Sequence, residues 1–196
     1  MKFRNFLIVG LVAALLTGCG ATDAGSAANV AGTSISEAAL ADALMELSNE
    51  VTAADLGISD AELTAQVLNR LVITELVRKL GSEAEVTVSE TEIVAERSRI
   101  QNEFGSEAEL IQAGLQQAIA PSLINSVFEI SLYASKIGEK LEPNGTDTDR
   151  TSAFESFLFS YVDSADIKIS PRYGTWDKTQ AAITPPSNPL VSNPGE

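Results

Sequence analysis

Apolar residues recur at helical spacing along most of this chain. Leu40, Leu44, Leu47 and Val51 fall at i, i+4, i+7 and i+11, one face of a helix predicted over residues 37–54. A second helix is predicted over 60–80, with Gly81 as its stop. Its Leu63, Val67, Leu68, Leu71, Val72, Leu76, Val77 and Leu80 cover more than one face, which places it at the centre of the core. A third helix, 90–104, carries only Ile93, Ile100 and Phe104 and reads as a surface helix that Gly105 breaks. A short fourth helix spans 107–117, and Pro121 suits the first position of a fifth that reaches Leu141. The fifth has a broad apolar face, including Ile124, Val127, Phe128, Tyr133 and Ile137. After a loop at 142–150, Phe154, Phe157, Leu158, Tyr161 and Val162 mark a sixth helix over 151–163. The pattern predicts a mainly α fold of about six helices.

Short extended segments interrupt the helices. Val30 to Ile35, with Gly32 inside, reads as a strand or turn; residues 86–88 form an extended link; residues 166–170 alternate like a strand. Four helix starts share Ser-x-x-Glu: Ser34/Glu37, Ser59/Glu62, Ser89/Glu92 and Ser106/Glu109, the first with Ser36 as an alternative cap. In such a capping box the two side chains satisfy orphaned backbone N–H groups at the helix N-terminus. These glutamates therefore have a structural task, and their uneven spacing is not a solenoid repeat.

The first residues follow a different pattern. Lys2 and Arg4 precede an apolar run from Phe6 to Leu16, followed by Thr17-Gly18-Cys19 and a small, polar stretch. The run is about half the ~20 residues a spanning helix needs. The pattern resembles a bacterial lipoprotein signal. That resemblance implies cleavage between Gly18 and Cys19, diacylglycerol on the Cys19 sulfur, and a chain held by lipid on the extracytoplasmic face of the cell membrane. Residues 1–18 are then the signal peptide, 19–28 a flexible tether, 29–177 the folded domain, and the Pro-, Asn- and Ser-rich 178–196 a disordered tail.

Composition narrows the chemistry. The 196 residues carry a net charge of −14, which repels nucleic acid and anionic headgroups. There is no histidine, and Cys19 is the single cysteine. The usual general base, Cys/His nucleophile systems and Cys/His zinc sites are thus excluded. No GxGxxG, Walker A or EF-hand loop occurs. The expectation is a protein that is not an enzyme, with no cofactor and no metal. An enzyme built on carboxylates alone would need two of them facing one another, and no spacing argues for such a pair.

Taken in order, Val30-x-Gly32-x-x-Ile35-Ser36 leading into a helix, Val86-Thr-Val-Ser-Glu-Thr-Glu92 opening a second helical block, Phe104-Gly105 at the end of its first helix, and Ile167-Lys-Ile-Ser-Pro-Arg-Tyr-Gly-Thr-Trp176 resemble the N-terminal chaperone domain of SurA/PrsA-type extracytoplasmic foldases. The ending is similar to the form in actinobacterial lipoproteins of that group. The resemblance covers about residues 29–177. It implies a helical body closed by its own chain ends, the strand near Val30 pairing with that near Ile167 in a small two-stranded sheet. In the larger foldases a parvulin isomerase domain is inserted ahead of the last helix. Here that place holds only residues 142–150, and a domain needs at least ~50.

The function implied is an ATP-independent holdase that binds unfolded or partly folded secreted proteins without isomerase activity. The alternative is an adaptor lipoprotein for one specific envelope partner. Candidate client-binding residues are Met45 and Phe159, which lie off the apolar stripes of their helices, and Tyr173 and Trp176, which follow the last strand. Ordinary packing is the competing role for each of the four.

Overall fold

The computed structural model describes residues 25–187. The segment whose pattern resembles a lipoprotein signal, Cys19 and the part of the expected tether up to residue 24 lie outside the described residues, as do residues 188–196. Within them the chain forms β1 (Ser26–Val30), β2 (Thr33–Ser36), α1 (Glu37–Ser48), α2 (Asp60–Glu83), α3 (Glu90–Phe104), α4 (Glu107–Leu115), a 3₁₀ turn (Pro121–Leu123), α5 (Ile124–Leu141), α6 (Asp147–Ser164), β3 (Ile167–Ile169), β4 (Thr175–Asp177) and β5 (Ala182–Thr184). The fold is mainly helical with small antiparallel sheets. Residues 20–196 therefore carry every described element.

The strands depart most from the sequence reading. The sheet has three strands in the order β2-β1-β3, and β4 and β5 form a second pair. β1 begins at Ser26, inside the segment read as tether, because its small residues are core: Ala27 and Ala28 have no exposed surface. Its polar member is satisfied, since Ser26 Oγ donates to Ala28 O at 2.8 Å and accepts from Ser34 Oγ at 2.9 Å. Ala31 and Gly32 both have positive φ, as a two-residue hairpin of the primed type requires, so β1 and β2 pair from Val30↔Thr33 outward. β1 also pairs with β3, Val30 opposite Ile167 and Ala28 opposite Ile169, bringing the two ends of the folded body together. The tail expected to be disordered from residue 178 instead returns as β5, with Trp176 opposite Ile183 and both Ala181 and Ile183 buried.

Helix boundaries shift for local reasons. α1 stops at Ser48, not residue 54, and the Asp55 carboxylate accepts from Thr52 N and Oγ1 in a turn that competes with further helix. α2 runs through Gly81 to Glu83. α4 ends at Leu115, and the 3₁₀ turn at Pro121 precedes α5. α6 starts at Asp147 because Thr146 and Asp149 form a capping box that lacks the expected glutamate. Reciprocal boxes form at Ser59/Glu62 and Ser89/Glu92; Ser106 caps α4, and Ser36 rather than Ser34 caps α1.

α2 is the hub. Its Val67, Leu68, Val72, Leu76 and Leu80 have no exposed surface. One cluster joins α1, α2 and the sheets; a second joins α3, α4 and α5 through Ile93, Leu110, Ile119, Ile124 and Phe128; a third joins α2 and α5 through Val77, Leu80, Tyr133 and Ile137, with Phe154, Phe157 and Leu158 of α6 packed against it.

The caps set an acid limit on this body. Hydrogen bonding to Lys136 and then to Ser89 pulls the Glu92 carboxyl from 4.5 to about 2; bonds to Ser59 and to Thr146 lower Glu62 and Asp149. A depressed carboxyl stabilises the fold above its unfolded value and loses that contribution as pH falls through its folded one. The urea midpoint is expected to be level above pH 4.5 and to drop as pH is lowered toward about 2. A midpoint unchanged across that window would refute the assignment.

Candidate functional site

An apolar groove of about 310 Å³ lies open between α3, α4 and α5. Its floor is the second cluster, with Leu110, Ile119, Ile124 and Phe128. Ile100 and Phe104 of α3 form one wall, and Ala113 and Gly114 of α4 leave the space free by their small size. α3 buries only Ile93, so its later turns stand over the core without sealing it. Phe104, the last residue of α3, is 45% exposed.

Polar residues frame the groove without competing for it. Arg99 closes a fork on Glu96, Nε to Oε2 at 2.9 Å and Nη2 to Oε1 at 2.7 Å, and this bond holds the Glu96 carboxyl below its usual range. Arg97 reaches from α3 to Glu107 of α4 and Asn125 of α5, fixing the three helices to one another.

Two further clefts adjoin. One of about 300 Å³ is bordered by Asn69, Arg70 and Ile73 of α2, Gln117, Ala118, and Ile130 of α5. Gln117 borders this cleft and the apolar groove alike. The other, about 470 Å³, has a mixed lining and contains Arg78 of α2, whose guanidinium grips the buried Glu129 of α5 at 2.6 and 2.7 Å. Among the described residues no group of three or more Cys, Asp or Glu is placed to hold a metal ion. No helix among them is long and apolar enough to cross a membrane.

The four residues singled out in the sequence do not converge. Met45 on α1 and Phe159 on α6 are 59% and 42% exposed. Tyr173 and Trp176 are half-buried and pack against the first cluster. Trp176 Nε1 is buried without an acceptor among the described residues, while Tyr173 borders a small cleft with Arg172 and Pro186. None of the four lines the apolar groove. Gly18 and Cys19 lie outside the described residues. The groove escapes sequence reasoning because Ile93, Ile100 and Phe104 alone make the third helix read as a surface helix. The available signal was the pairing of that narrow stripe with a small-residue step, Ala113-Gly114, on the next helix.

No family model, no curated protein and no solved structure matches this chain.

Proposed function

We propose that this chain is an ATP-independent holdase lacking isomerase activity, held by lipid on Cys19 at the extracytoplasmic face of the membrane and binding apolar segments of unfolded secreted proteins. The observation that carries the reading is the open groove over the second cluster, walled by Ile100 and the half-exposed Phe104. A monomeric soluble body normally covers such surface, and a concave apolar patch with a polar rim suits a polypeptide partner. The SurA/PrsA-type order of motifs in the sequence supports the same class.

The energetics fit weak, reversible capture. Burying one or two client side chains yields about 3 kcal/mol. Ordering costs reduce that further, so affinity sits in a range where release needs no nucleotide. A lipid tether would compensate by concentrating the binder where clients emerge.

The test uses residues 20–196 and a chemically denatured client whose aggregation is followed by light scattering. Suppression is expected at several-fold molar excess. Phe104→Asp, at an exposed position, is expected to abolish more than half of it, and Met45→Asp, outside the groove, to leave it intact. No suppression by the unmodified chain, or equal suppression by the Phe104 variant, would overturn the reading.

A further inference from the structure

Arg70 departs from the charge pattern of this protein. The other described arginines each meet a carboxylate: Arg78 with Glu129, Arg97 with Glu107, Arg99 with Glu96, Arg150 with Glu139, Arg172 with Glu37. Arg70 meets none among the described residues, although the chain carries 27 acidic residues against 13 basic ones. It is partly buried in the wall of its cleft, and burial alone acts on its guanidinium, lowering it from the ordinary value. Asn69, its neighbour in the same cleft, has a buried Oδ1 with no donor among the described residues. An unpaired cation and an unsatisfied amide oxygen thus belong to one cleft, and Gln117 lines both that cleft and the apolar groove.

We propose that the Arg70 cleft receives a carboxylate of a polypeptide whose apolar side chains occupy the adjoining groove. The inference rests on the binding reading given above and adds the chemistry of one end of the ligand. The guanidinium fork matches a carboxylate bidentately, and its partial burial strengthens the contact relative to one in water. The terminal torsion of Asn69 is soft, so its oxygen can turn to accept from a peptide N–H beside the bound carboxylate. The carboxylate has two possible sources with the same chemistry: the free C-terminus of the polypeptide or an Asp or Glu side chain. The net charge of −14 disfavours such groups over most of the surface, so a local unpaired guanidinium is needed to hold one.

The test is fluorescence anisotropy on residues 20–196 with a short labelled Leu- and Phe-rich peptide in three forms: free C-terminal acid, C-terminal amide, and amide with Asp as the last residue. The free acid is expected to bind roughly tenfold tighter than the amide, as a charge-assisted contact supplies. That advantage should shrink as salt is raised. Arg70→Gln is expected to bring the acid down to the affinity of the amide while leaving the amide unchanged, and Arg70→Lys to keep part of the difference. If the Asp-ended amide binds like the free acid, side-chain carboxylates serve as well; if it binds like the plain amide, the site reads chain ends. Equal affinity of acid and amide for the unmodified chain overturns the carboxylate site but leaves the groove standing. Failure of all three peptides to bind overturns both. The unchanged amide affinity of Arg70→Gln also verifies that this variant is folded.

Discussion

Arg78→Met is expected to destabilise the fold by about 3 kcal/mol, and adding Glu129→Leu to restore most of that loss. The asymmetry of the pair is the reason. The Glu129 side chain is 11% exposed, whereas that of Arg78 is 50% exposed. Both guanidinium hydrogen bonds end on Glu129, with Glu75 a looser partner at 3.7 Å, and the bond to Glu129 raises the Arg78 group above its ordinary value. Removing the arginine strands a carboxylate in the wall between α2 and α5, where its desolvation is uncompensated. Replacing both removes the buried charge together with its partner, and leucine adds apolar contact. Urea unfolding of the single and double variants separates the two cases. A single variant within about 1 kcal/mol of the parent, the range of an ordinary surface pair, would show that Glu129 finds water or another donor.

Gly81→Ala is expected to cost about 2 kcal/mol, against the usual sense of that substitution. Within a helix, alanine in place of glycine gains about 1 kcal/mol by propensity. Here a Cβ would stand 2.3 Å from Tyr133 Cε1 and 2.7 Å from Cδ1, with Val86 O at 3.0 Å on another side. Tyr133 is only 8% exposed and belongs to the third cluster, so its ring has no free space to retreat into. Overpacking of this kind costs roughly 1–3 kcal/mol, enough to reverse the sign. In a Tyr133→Leu background the same substitution should become neutral or stabilising. The double-mutant cycle by thermal or urea unfolding decides; stabilisation by Gly81→Ala in the parent would refute the contact.

That glycine also illustrates what sequence could and could not convey. Gly81 reads as a helix stop by local rules, yet it is a crossing point, because the decision belongs to a residue on α5 far along the chain. Periodicity placed α3 at its true bounds and α2 at the centre, since both follow from spacing and caps alone. β1 stayed hidden because Ser26-Ala-Ala has the composition of a linker; its strand character comes from pairing with β2 and β3. β5 was masked by neighbouring prolines and depends on Trp176 for its register. The groove was the least legible feature. Met45 and Phe159 could be recognised as leaving their stripes, but a concavity needs three helices placed together, and no single segment carries that information. The Arg70 cleft was equally silent, as an absent partner cannot be read from a list of charges.

The pairing of Ala28 with Ile169 also fixes an order of events. Strand β1 is made first but has no second neighbour until the chain has been extended through β3. Closing a loop that long carries an entropic cost that only the finished sheet repays, so docking of the two ends belongs late in folding. Until then Ala27 and Ala28 leave the first cluster unfinished, and the newly made chain is for a time itself a polypeptide with uncovered apolar surface.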